Sequence, residues 1–319
     1  MGISDAWTED SPVDAWNGDV FIGLDLQPHL VPAQQAILDG WYQRGVEIRF
    51  VVYDLLPLLM PQAFVEGAMP LYQSWLKCIS RYNGAVCISK AVVQDLRYWI
   101  KTQSDRPLAN WEIDWFHLGA DVDQSSPSKG LPSQSDAVLK GMRQHPSFLM
   151  VGTLEPRKGH AQVLEAFEQL WQQGEKINLV IVGKSGWKVN ALIEQLKIHP
   201  EMGRRLVWLE AISDEYLEKV YHASTCLIAS SQAEGFGLPL IEASRYGLPI
   251  LARDIPVFRE VAGDHADYFQ GLTAQELACA VKGWLAKYKQ GIHPLSNNMP
   301  SLNWRQSAHQ LLQALKIQT

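Results

Sequence analysis

A chain of 319 residues, 47% hydrophobic and 19% charged, is long enough for two α/β domains and apolar enough to give each a core. A formal net charge of -6 with no basic cluster excludes a nucleic-acid footprint, and no apolar run approaches the roughly 20 residues needed to span a bilayer. Cys78, Cys87, Cys226 and Cys279 fit neither zinc spacing nor a disulfide framework, and Met1 to Asp14 is acidic rather than signal-like, so a reducing, cytoplasmic setting is expected.

In chain order, strand and helix patterns alternate, as parallel sheets require. Asp19 to Leu26 reads as a buried strand. Pro32 to Arg44 reads as one amphipathic helix that starts at a proline and stops at Gly45, and Glu47 to Tyr53 as the next strand. Leu71 to Tyr82 is predicted helical, Ala85 to Ser89 extended, Ala91 to Lys101 helical and Ile113 to His117 extended. Asp121 to Gln134, rich in Ser, Pro, Asp and Gly, reads as a linker. A second run follows, with strands over 148–154, 179–182, 205–209, 226–230 and 249–252. Its helices are predicted over 161–172, 189–197, 214–222 (with Ser213 as N-cap), 238–246, 273–289 and 304–315. The pattern predicts a first domain over 1–143, a second over 144–296 and a closing helix in 297–319 that crosses back to the first. The first half shows about four strands, against about six in a self-sufficient Rossmann-like domain, so it is expected to be incomplete.

Chemistry concentrates after the strand at 226–230, in Glu234-Gly235-Phe236-Gly237-Leu238-Pro239-Leu240-Ile241-Glu242. Glycines let the backbone approach a ligand closely, and the helix that follows offers unpaired N–H groups and partial positive charge to a phosphate. Glu242, expected in the first helical turn, would reach the same ligand, with a ribose diol as its natural partner. A second element, Gly152-Thr153-Leu154-Glu155-Pro156-Arg157-Lys158-Gly159, follows the first strand of the same half. Adjacent cations at a helix start oppose the local dipole. An anion between Arg157, Lys158 and the Glu234 loop would explain them, and a diphosphate is the simplest choice.

This pair of motifs resembles the donor half of family 4 retaining glycosyltransferases. The Glu-x7-Glu signature stands at Glu234 and Glu242, and the basic pair at Arg157 and Lys158. The likeness extends to Asp254-Ile255-Pro256-Val257-Phe258-Arg259-Glu260-Val261, Val52-Tyr53-Asp54-Leu55-Leu56-Pro57, Ile88-Ser89-Lys90 and His117-Leu118-Gly119-Ala120-Asp121. It is strongest toward bacterial mannosyltransferases of surface-polysaccharide assembly. The resemblance implies a GT-B fold, α/β, with two Rossmann-like parallel-sheet domains facing a cleft.

It further implies metal-independent transfer of a hexose, mannose first, from a nucleotide-diphosphate sugar. GDP-mannose is the leading donor and a UDP-sugar the alternative, with a glycan or polyprenyl-linked acceptor, no cofactor, and peripheral contact with the inner membrane face. Arg157 and Lys158 would neutralise the leaving diphosphate. Glu234, with Phe236 and Gly237 N–H groups, would hold the sugar, and Glu242 the ribose. Gly152, Gly235 and Leu238 would shape the donor site, and Glu210 to Ile212 would line the base. Asp54 joins the catalytic set, while Tyr53, His29 and His117 are candidates for acceptor or sugar contact.

Two departures stand out. Tyr53-Asp54 replaces the family's His-Asp, and nothing in Met1 to Asp19 resembles its Gly-rich opening loop. Roughly the first hundred residues of a complete member are therefore expected to be missing, by its strand count, and a complementing N-terminal chain becomes a candidate partner. Two alternatives stay open: a non-catalytic nucleotide-sugar-binding subunit or half of a split enzyme, and a GT-B epimerase.

Overall fold

The structure is a computed structural model. It describes residues 13–102, 111–120 and 127–317. Its first sheet holds β1 (Val20–Gly23), β2 (Glu47–Val52), β3 (Gly84–Cys87) and β4 (Glu112–Trp115), all parallel and in that order. Their connections carry α1 (Leu30–Ala33), α2 (Gln35–Gln43), α3 (Leu56–Leu59), α4 (Ala68–Ile79) and α5 (Lys90–Thr102). Trp75, Leu76 and Ile79 of α4 are fully buried, which follows from their spacing on one helical face.

Three expectations change here. The strand expected over 19–26 is only four residues long and is not buried; it pairs with β2 alone among the described residues, so Val20 is 37% exposed. The helix expected over 32–44 is two, because Gln34 leaves helical geometry at φ -99°, ψ 15°. The expected linker begins outside the described residues at 121–126 and its described part, 127–134, is non-helical as expected, but the segment directly after it, where no element was expected, is helical: α6 (Ser135–Met142). Leu139 and Met142 bury one face of α6, which packs against α9 (Asp214–Ala223) of the second unit. α6 thus packs on the second unit although it lies ahead of the boundary expected at 143/144.

The second sheet contains β5 (Ser147–Val151), β6 (Asn178–Val182), β7 (Leu206–Leu209), β8 (Cys226–Ala229), β9 (Ile250–Arg253) and β10 (Asp267–Phe269). All six are parallel, in the order β10-β9-β8-β5-β6-β7. Around them lie α7 (His160–Gln172), α8 (Asn190–Ile198), α10 (Leu238–Arg245), α11 (Pro256–Ala262) and α12 (Ala274–Gln290). Ser213 caps α9 by accepting from the Tyr216 N–H, as expected. The strand order reverses between β5 and β8, and ligands bind at such a switch point, outside the carboxyl ends of the strands.

The last helix, α13 (Trp304–Ala314), returns to the first sheet. Gly119 bridges Leu302, Gln310 accepts from the His117 N–H at 3.0 Å, and Ser307 Oγ donates to the His117 carbonyl at 2.7 Å. Beyond it, Lys316 binds Glu112, which in turn pairs with buried Arg49 at 2.7 Å. The loop between β6 and α8 also crosses between the units. Trp187 Nε1 donates to the Ala63 carbonyl at 2.8 Å, and Lys188 Nζ to the Gln62 and Phe64 carbonyls at 2.6 and 3.1 Å. Lys188 holds φ 55°, a left-handed value that is costly for a residue with a side chain.

Candidate active site

The loops leaving β5 and β8 carry the two motifs to the switch point. After β8, the chain turns through Glu234 and Gly235 before Gly237 (φ 103°) starts α10. Gly235 lies against the first domain so closely that an added Cβ would stand 2.2 Å from the Tyr53 carbonyl oxygen. Only glycine permits that approach. Arg157 and Lys158 lie in the strand-to-helix turn ahead of α7, as expected. They form a short 3-10 turn with Pro156, separated from α7 by Gly159.

Glu234 joins the loops. Its Oε2 is 2.9 Å from Arg157 Nη1, its Oε1 is ion-paired with Lys158, and Ser231 Oγ donates to Oε1 at 2.7 Å. Arg157 Nε also lies 3.0 Å from Glu155 Oε2. Burial alone would push the Glu234 carboxyl up, but Lys158 and Arg157 reverse this and hold it below the usual range. Burial works against the Arg157 charge, yet Glu234 and Glu155 raise its pKa. Glu234, expected to hold a sugar, here has both oxygens engaged and fixes the two cations.

Asp54 faces this cluster from the first domain. Burial pushes its carboxyl up, offset in part by the Leu56 N–H it accepts at 2.9 Å and by Arg157. Tyr53 contributes its carbonyl beneath Gly235, while its hydroxyl donates to the Leu24 carbonyl at 2.6 Å. Phe236 is buried, with its ring 5.3 Å from that of His117. Gly152 (φ 141°) adjoins Lys158.

Glu242 stands apart. It is the fifth residue of α10, which starts at Leu238 as expected, so it lies one turn in, at the start of the second turn. Its Oε2 accepts from the Tyr221 hydroxyl at 2.7 Å. It lines an open cavity of about 770 Å³ with Ser128, Lys129, Asp214 and Glu218. The enclosed space beside Glu234 and Lys158 is only about 20 Å³, room for one water. The two signature carboxylates thus line different cavities. Glu210 and Ile212 follow β7, at the same sheet edge but two strands from β5. His29 is exposed beside α1, and nothing brings it to the cluster.

Four residues escaped the sequence reading as site members. Ser231 and Glu155 complete the charged cluster. Ser89 Oγ donates to the Gly235 carbonyl at 2.8 Å, and Glu260 accepts from His117 Nε2 at 2.8 Å. Ser89 and Glu260 lay inside the quoted motifs, but their partners are 146 and 143 residues away in the chain.

Residues 139–299 match the family model of glycosyl transferases group 1. The chain is 46% identical over 311 residues to the serotype-specific mannosyltransferase WbdA of Escherichia coli, covering 97% of this chain and 38% of the relative. It is 30% identical over 219 residues to the O-antigen chain mannosyltransferase RfbU of Salmonella typhimurium, covering 68% of this chain and 55% of the relative. Among solved structures, Anabaena HepE in complex with UDP-glucose superposes with TM-score 0.69 at 16% identity, over 92% of this chain and 78% of that one. Sucrose-phosphate synthase from Thermosynechococcus elongatus gives 0.67 at 18%, over 93% and 73%. These two share the GT-B arrangement of paired Rossmann-like domains. With its motif loops at the switch point and the family model over half its length, the chain belongs to the group 1 glycosyl transferases.

Proposed function

We propose that the chain works as a retaining, metal-independent glycosyltransferase moving a hexose from a nucleotide-diphosphate sugar to a glycan or lipid-linked acceptor. The carrying observation is the Arg157–Glu234–Lys158 cluster at the switch point between β5 and β8. As the bond to the sugar breaks, negative charge grows on the departing diphosphate and an oxocarbenium-like centre forms. Arg157 and Lys158, held in place by Glu234, meet that charge without reorganising. The N-terminus of α10 adds N–H groups from Gly237 onward. Phe236 and Gly237 contact the sugar, Asp54 faces the reacting centre, Glu242 holds the ribose and Glu210 to Ile212 the base. Because the Gly235 loop rests directly on the Tyr53 carbonyl and Ser89 of the first domain, the domains part to admit the donor.

Mannose and GDP-mannose are favoured because relatives are named mannosyltransferases; a UDP-sugar is the alternative. The cytoplasmic face of a membrane is the proposed setting. No helix among the described residues is long and apolar enough to cross one, and Leu59, Val65, Met69 and Leu71 are exposed for peripheral contact. The test is thermal stability and slow hydrolysis with GDP-mannose and UDP-sugars in turn. Stabilisation by one donor with hydrolysis supports transfer chemistry. No response to any of them overturns it.

The outer edge of β1 favours a second reading. No strand pairs there among the described residues, and Val20 and Leu24 are exposed. A complementing chain that adds a strand at this edge would make this chain the donor-binding half of a split enzyme. Donor binding without hydrolysis, restored to transfer by a co-expressed acceptor-side fragment, would distinguish it.

A further inference from the structure

One carboxylate outside the charged cluster spans both domains. Glu260 leaves α11 of the second domain and reaches the N-terminus of α5 in the first. It accepts from the Lys90 and Ala91 N–H groups at 2.8 and 2.9 Å, and from His117 Nε2 at 2.8 Å. The first N–H groups of a helix have no partner within it, and their partial positive charge favours an anion. Glu260 supplies that anion from the opposite domain. Its side chain is only 12% exposed, so the interaction is poorly screened.

The His117 ring that Glu260 fixes lies 4.9 Å from the Trp115 ring on one side and 5.3 Å from the Phe236 ring on the other. Ser89, just before α5, donates to the Gly235 carbonyl at 2.8 Å and also accepts from the Val92 N–H at 3.2 Å. The start of α5 and the 235–237 loop are thus tied together twice, through Ser89 directly and through Glu260, His117 and Phe236.

We propose that Glu260 is a positioning residue that couples domain closure to the donor loop, by capping α5 across the cleft and fixing His117 against Phe236. It does not touch the substrate. It rests on the reading above only in assigning the donor to residues 234–237. In the absence of Glu260, the Lys90 and Ala91 N–H groups of α5 lose their partner and the His117 ring its anchor, so that Ser89 alone ties α5 to the loop and Phe236 loses its fixed backing.

The test is hydrogen exchange on the full chain, read in peptides spanning 89–93 and 235–242, for the wild type, Glu260→Ala and Glu260→Gln. Exchange reports local opening directly and needs no sugar donor. In Glu260→Ala, both peptides should exchange about tenfold faster, and Glu260→Gln, which keeps one acceptor oxygen, should recover part of the protection. Turnover should fall about tenfold in Glu260→Ala and recover in part in Glu260→Gln, in step with the exchange. Acceleration confined to 89–93 would overturn the coupling, as would unchanged exchange in both peptides. Should Glu260→Ala not fold, Glu260→Gln alone decides by the same comparison. A wild type that handles no nucleotide sugar would remove the transferase reading and leave the exchange result standing.

Discussion

At the level of single residues, burial and charge set the behaviour of His160. It opens α7, is 2% exposed, and neither ring nitrogen has a hydrogen-bond partner among the described residues. Burial, with Lys158 nearby, pushes its pKa down to about 3. The unfolded chain takes up a proton near pH 6.5, whereas the folded one resists until far lower. Stability from this group is therefore full above about pH 6.5 and is lost as pH falls toward 3. His160→Gln should flatten that slope: between pH 6.5 and 4.5 the wild type should lose about 2 to 3 kcal/mol more than the variant, as measured by urea unfolding. Glu234→Gln leaves Arg157 and Lys158 buried beside a neutral group and should cost about 3 to 5 kcal/mol by the same method. Arg157→Ala should lower kcat by about 10²–10³ with a smaller change in KM, because diphosphate charge grows toward the transition state. Equal losses in both would count against that role. The sequence displayed Arg157, Lys158 and Glu234 by type and spacing. It could not display that Glu234 neutralises the cations, because that depends on how two loops 76 residues apart meet.

At the level of elements, what the sequence showed follows from length and periodicity. The strands of the second sheet from β5 to β9 are apolar runs flanked by turn residues, and all were legible. The missed elements are short or shaped by their surroundings. β10 has three residues, too few for a pattern, and α11 begins at Pro256 and is buried through Val257, Phe258 and Val261. β1 was legible as a strand but not as an edge, since edge or centre is decided by neighbours. α13 carries its own start signal, a capping box in which Asn303 and Gln306 each accept the other's N–H. Asn303→Ala should therefore lower stability by about 1 kcal/mol, measurable by thermal unfolding. The donor loop is limited by contact instead. Gly235→Ala would place a methyl 2.2 Å from the Tyr53 carbonyl oxygen, so the loop or the first domain must shift. Activity should fall at least about tenfold while the unfolding temperature changes by only a few degrees, because the clash lies between domains and outside either core. Wild-type turnover in Gly235→Ala would show that the close approach is dispensable.

At the level of the whole molecule, two parallel sheets with a switch point in the second set where a ligand would bind, and the alternation of patterns made this much visible in the sequence. The contacts between the sheets were not visible, since they join distant residues whose own segments look ordinary. The grip of Trp187 and Lys188 on the 62–64 backbone is one such contact. It lies on a different pair of loops from the Ser89–Gly235 and Glu260 contacts, so no single pivot releases them all. Each catalytic cycle would then break and remake several separate hydrogen-bonded sites. Under the proposed transferase reading, departure of the spent nucleotide, rather than the bond change at the sugar, is then the expected slow step. Such an enzyme would slow in proportion to added solvent viscosity, and replacing Lys188 with Ala would make it less sensitive to viscosity.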